Sequence, residues 1–200
     1  MTDNTPTGTD EAHPHPHTAE ELAELDRIAR QIDIDAPAER VWDLIARPGW
    51  YVNDGAVDPD PDLHYEDDVA VLRHPTLGEF RFRTVTLDKP RYAAFRWIGT
   101  PFRNESAPST LLEFWIDERD GGGVTLRVVE SGFSSLSEDP ATWLKQREGN
   151  VKGWRIELSA AKTYAERGAG SGTGSGTDAG TDAGTGTADA DGTADRTERR

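Results

Sequence analysis

From residue 69 to residue 133 the chain is a succession of short segments in which apolar residues recur at every second position, with turn-forming residues between them. After residue 139 the period changes to that of one long helix. Alternation at period two marks a strand buried on one face, because successive side chains of a strand point to opposite sides. Val69–Arg73 is the first such segment, and Pro75–Gly78 turns it back. Glu79–Leu87 sets Phe80, Phe82 and Thr84 against Arg81, Arg83 and Val85, and Asp88, Lys89 and Pro90 make the next turn. Tyr92–Ile98 carries Ala93, Phe95 and Trp97 on one face; Thr110–Glu118 carries Leu112, Phe114 and Ile116. Asp120 to Gly123 reads as a hairpin turn, and in Val124–Phe133 the residues Val124, Leu126, Val128 and Glu130 share a face. Hairpins in series make an antiparallel meander with one apolar face to cover.

The cover comes next. In Asp139–Arg167, Trp143, Val151, Trp154, Leu158, Ala161 and Ala165 recur mostly three or four residues apart, with Lys152, Arg155, Lys162 and Glu166 on the other side. That spacing predicts a long amphipathic helix, which Gly149 can interrupt. Upstream, Ile28, Ile32 and Ile34 predict a strand, and Pro37–Arg47 predicts a short helix with Val41, Trp42, Leu44 and Ile45 on its apolar side, ended by Pro48 and Gly49. Ala19–Arg30 either starts a short helix or leads directly into the first strand, and Gly49 to Asp68 reads as loop. A sheet covered on one face by helices gives a two-layer α+β domain.

Both ends differ from this middle. Residues 1–26 are polar with His-Pro repeats, and residues 168–200 are almost wholly Gly, Thr, Ala, Asp and Ser. Neither stretch buries enough apolar surface to offset the entropy of ordering, so both are expected to be disordered tails around a domain at residues 27–167. The tails also hold most of the charge. Residues 1–26 carry seven acids and no Lys or Arg, and residues 169–200 carry six acids against three bases, so of the net −15 only −5 falls on residues 27–168. No basic run is present to neutralise phosphates, which argues against nucleic acid as partner. The absence of cysteine excludes disulfides, thiol nucleophiles and thiolate metal sites. No apolar run is long enough to span a bilayer, and no basic-then-apolar leader opens the chain. The expectation is a cytoplasmic, monomeric protein kept soluble by its acidic tails.

Particular segments carry a family resemblance. Ile34-Asp35-Ala36-Pro37-Ala38-Glu39-Arg40-Val41-Trp42 resembles the opening of START-like (SRPBCC) proteins, where a strand passes through a proline into the first helix. Asp88 to Trp97, Leu112-Glu113-Phe114, and Val128 to Phe133 resemble strand segments of the homologues of the activator of heat-shock-protein-90 ATPase. Gly153-Trp154 followed by Leu158 resembles the start of that family's closing helix. The resemblance covers residues 28–167. It implies the helix-grip fold, a curved antiparallel sheet wrapped around a long C-terminal helix, with a cavity between them. Relatives, polyketide-cyclase-like ones included, use that cavity to hold apolar ligands or, in some branches, for chemistry.

The aromatic residues Phe80, Phe82, Phe95, Trp97, Phe114, Trp143 and Trp154 either line such a pocket or fill an ordinary core. Either the Trp50-Tyr51-Val52-Asn53-Asp54-Gly55 loop after the first helix gates the cavity mouth, with aromatics such as Trp50 touching the ligand, or Trp50 plugs the core beneath the loop. Glu130 is the one ionisable residue on its strand's apolar face. It orients a ligand or serves as general acid or base, or else it reaches water at the sheet's end or pairs with an arginine such as Arg96. Metal sites fail on spacing. Asp58, Asp60 and Asp62 open like a calcium loop, but Leu63 stands where that loop needs glycine and Val69 where it needs glutamate. His13, His15 and His17 are spaced by proline, and His64 and His74 have no partner at ligand spacing. No phosphate-binding glycine loop or nucleophile elbow occurs, so neither cofactor nor metal is expected. Three readings follow: a non-catalytic domain holding a small apolar ligand, a co-chaperone-like interaction module whose partner is a chaperone or other protein, and a cyclase- or hydrolase-like enzyme using Glu130.

Overall fold

A computed structural model describes residues 17–99 and 107–169. Its strands are β1 (Arg27–Ile34), β2 (Asp62–Glu66), β3 (Val69–His74), β4 (Gly78–Asp88), β5 (Tyr92–Ile98), β6 (Ser109–Glu118) and β7 (Val124–Ser131). Its helices are α1 (Ala19–Leu25), α2 (Ala38–Ile45) and α3 (Pro140–Ala169), with a short 3-10 turn at Phe133–Leu136. The strands form one antiparallel sheet in the order β1-β7-β6-β5-β4-β3-β2, so every hairpin from β2 onward pairs with its neighbour in sequence. The chain is an α+β helix-grip fold, a curved sheet gripping a long C-terminal helix.

Cross-strand pairing decides what faces the helix. Ala93 lies opposite Phe114, Phe95 opposite Leu112, Phe114 opposite Val128, and Leu112 opposite Glu130. These residues are buried, and with Ile28, Ile34, Phe82 and Leu126 they meet Trp143, Trp154, Leu158, Ala161 and Ala165 of α3. Alternating large and small partners lets the two layers close at native density. A bulge at Val85 shifts the β4–β5 register, so Leu87 rather than Thr86 lies opposite Ala93.

Several expectations are corrected. The Gly49–Asp68 loop contains β2, an edge strand whose Tyr65 is 60% exposed and whose apolar signal is correspondingly faint. Gly149 does not interrupt α3, which runs unbroken from a first turn capped by the Asp139 carboxylate, an acceptor for Ala141 N–H and Thr142 N–H. The last strand stops at Ser131, and Gly132 takes a left-handed φ that leads into the 3-10 turn. The N-terminal tail expected through residue 26 gives way to α1, held by a reciprocal Thr18–Glu21 capping box. Residues 1–16 and 170–200, the remainder of both expected tails, lie outside the described residues. Among the described residues no helix is long and apolar enough to cross a membrane.

Candidate functional site: a cleft between the sheet and the long helix

The strand alternation carries Glu130 onto the buried face of β7, where it is 1% exposed. Leu112 lies opposite it, and Thr110, two residues earlier on the same face of β6, donates its hydroxyl to Glu130 Oε1 at 2.9 Å. From α3, Trp154 Nε1–H donates to Oε2 at 2.7 Å, and the Asn150 amide donates to both oxygens at 3.0 and 3.1 Å. A carboxylate offers about four acceptor positions, and these contacts fill them. Burial pushes the Glu130 carboxyl above the usual range, while the Trp154, Thr110 and Asn150 hydrogen bonds pull it back. Arg96 is exposed and is not the partner. The sheet end does not expose Glu130 to water either.

The loop after α2 supplies the other wall. Gly49 has φ +77°, and a Cβ there would stand 2.6 Å from the Phe82 ring, so only glycine lets the chain turn inward here. The turn buries Trp50 and Tyr51 at 5% exposure each. Trp50 packs on Phe114 and plugs the core, the second of its two expected roles. The Tyr51 ring touches Trp154 at 5.2 Å and Trp97 at 5.5 Å between centroids. Its hydroxyl is buried with no partner at hydrogen-bonding geometry among the described residues; burial, then the Glu130 charge, holds it well above the ordinary tyrosine range, against a smaller lowering by the Gly49 backbone nearby. Asn53 ties the loop to α3 by donating to Glu157 Oε2 at 2.6 Å, and its own Oδ1 accepts Gly55 N–H. Burial pushes the Glu157 carboxyl up to about 7, against the Asn53 hydrogen bond that lowers it.

Between these walls lies a cleft in two adjoining parts. One, of about 370 Å³, is lined by Leu77, Phe80, Trp97, Ile98, Thr110, Glu130, Gln146 and Asn150, among others. The other, of about 190 Å³, shares Leu77, Phe80, Trp97 and Asn150 and adds Tyr51, Val52, Asn53, Gly153, Trp154 and Glu157. Phe80, Trp97, Trp154 and Glu130 therefore come together on one cleft. Phe82, Phe95, Phe114, Trp143 and Trp50 do not line it; they are buried core behind the wall.

Sequence reasoning missed Thr110, Asn150 and Glu157, while Tyr51 and Asn53 belong to the Trp50–Gly55 loop that it set at the cavity mouth without assigning either a role. A signal existed for two of the three missed. Asn150 precedes Trp154 by four residues and Glu157 follows it by three, so both are polar residues on the apolar stripe of α3. Thr110 gave no such signal, because only the folded sheet brings it to the site.

No family model matches the chain, and no curated protein matches it. Solved structures do. The solution structure of the Aha1 dimer from Colwellia psychrerythraea superposes with TM-score 0.52 at 15% identity, covering 71% of this chain and 97% of that one. Protein NE0264 from Nitrosomonas europaea gives 0.52 at 12% identity, covering 72% and 96%. DynU16, from the dynemicin biosynthetic locus, gives 0.51 at 16% identity, covering 72% of this chain and 48% of that one. At such identities the likeness speaks for architecture alone, and with the sheet order and the closing helix that architecture is the helix-grip fold.

Proposed function

We propose that this domain binds one small, mostly apolar molecule in the cleft between β4–β6 and α3 and holds it without turning it over. The observation that supports the reading is a partly exposed aromatic wall, Phe80 and Trp97, facing a buried carboxylate whose donors hold it in a fixed orientation. A volume of about 370 Å³ falls within the roughly 300–1,000 Å³ usual for ligand sites. Covering about 200 Å² of apolar surface there would contribute about 5 kcal/mol to binding. Glu130 is poorly placed for proton transfer, because Thr110, Asn150 and Trp154 already occupy its oxygens; it braces the cleft wall by tying β6 and β7 to α3. A cysteine-free chain also suits a reducing cytoplasm.

Native mass spectrometry of protein purified from its own host tests this. The expected result is a stoichiometric small molecule, lost at least tenfold in Trp97→Ala. Gly153→Leu gives the same loss by filling the cleft from α3 without removing a core contact. A clean apo mass, together with no thermal stabilisation across a panel of apolar compounds, would sink the reading.

A further inference from the structure

The charge on the cleft wall narrows what it can take. Its carboxylates are Glu79, Glu130 and Glu157, and no Lys, Arg or His among the described residues lines it. Glu79 is neutralised outside the cleft by Arg81 at 2.7 Å and Arg73 at 3.4 Å. The other two have no cationic partner among the described residues. Glu130 is held by three neutral donors, and Glu157 accepts only from Asn53, at Oε2, leaving Oε1 without a partner among the described residues. Tyr51 lines the same part of the cleft, its hydroxyl buried with no partner at hydrogen-bonding geometry among the described residues. A buried polar group left unsatisfied is costly, so a ligand that supplies a partner to the Tyr51 hydroxyl is favoured, while the half-buried Glu157 Oε1 is open to a donor from the cleft.

The rings around these groups favour the same kind of ligand. Tyr51 contacts Trp154 and Trp97, and Trp97 contacts Phe80 at 6.0 Å, which makes one continuous aromatic wall. Aromatic faces carry partial negative charge and attract a cation placed over them. An anionic ligand would meet carboxylates without a cationic partner among the described residues, Glu130 buried and Glu157 half-buried, and a neutral one would leave them uncompensated. We propose that the ligand carries a positively charged nitrogen on an apolar body, its nitrogen held by Glu157 Oε1 and its body enclosed by Tyr51, Phe80, Trp97 and Trp154. This rests on the cleft being a ligand site, as proposed above.

Three probes with one aromatic body and different heads test it: naphthylethylamine, naphthylethanol and naphthylacetate, titrated calorimetrically into the full chain at pH 8. A primary ammonium is still protonated at that pH. The expected order is ammonium first, at least tenfold tighter than the alcohol, with the carboxylate weakest. Glu157→Gln is expected to bring the ammonium to within about threefold of the alcohol while leaving alcohol affinity unchanged. Trp97→Ala is expected to weaken ammonium and alcohol together, which places both in this cleft. Equal binding of the three heads, or preference for the carboxylate, overturns the charge selection and leaves the cleft reading standing. Binding of none of them by a chain with an unchanged melting curve overturns both.

Discussion

Glu130 and Glu157 face the same cleft, yet their surroundings set them different tasks. Glu130 is saturated by donors from β6 and α3, whereas Glu157 is half-buried with one oxygen free. Glu157 therefore gives the clearer pH signature. Its folded pKa is raised to about 7 from 4.5, so between those values the folded state binds more protons than the unfolded chain. Stability then falls as pH rises from about 4.5 through about 7, and is flat above. The loss is about 1–2 kcal/mol once discounted for the solvent that reaches the group. Glu157→Gln keeps an acceptor for Asn53 and removes the titration. In urea unfolding at pH 5 and pH 8, the variant is expected to show little difference where the parent loses stability; matching pH dependence in both would refute the assignment. Glu130 itself was legible, because alternation with Val124, Leu126 and Val128 fixes its face. Its partners were not, since Thr110 and Asn150 each lie twenty residues away and Trp154 twenty-four, and sequence spacing does not encode such contacts.

At the scale of elements, α3 both covers the sheet and lines the cleft, and its glycines separate these two faces. Gly149 and Gly153 both lie in the helix interior, where glycine costs roughly 0.5–1 kcal/mol relative to alanine. A Cβ at either would meet nothing within 4 Å. Gly153, however, lines the cleft and Gly149 does not. Gly149→Ala is thus expected to raise stability by roughly 0.5–1 kcal/mol and leave ligand affinity unchanged. Gly153→Ala is expected to stabilise similarly and weaken binding several-fold, because its methyl enters the space the ligand uses. Melting curves and titrations on the two variants check this, and equal affinities would mean that the cleft beside Gly153 is not occupied. The glycines also show where sequence and fold part company. A glycine in a helical pattern permits a break, as Gly149 does, but the packing of Trp143 and Trp154 on either side of it keeps the helix whole. The strong elements were readable because their apolar faces are continuous; β2 was not, because an edge strand with Asp62, His64 and Glu66 has little apolar face to show.

The whole molecule is an open sheet, and an open sheet has two edges that can pair with a second copy. Both edges here are guarded. β2 is five residues long and carries Asp62, His64 and Glu66. On β1, the carbonyls of Arg27 and Asp33 accept hydrogen bonds from Arg147 and Lys162 of α3, and Glu166 accepts from the Asp35 N–H just beyond. The chain's net charge of −15 adds long-range repulsion between copies. These two barriers to self-association separate by ionic strength, since screening shrinks the reach of charge to about 3 Å at 1 M salt but leaves a covered strand edge covered. Sedimentation is expected to give a single species of 21.9 kDa at low salt and at 1 M salt alike. A dimer appearing only at high salt would show that charge, and not the guarded edges, keeps the copies apart. A dimer at both would mean that some other face, with the exposed Val85 and Leu87 of β4 the first to examine, is self-complementary.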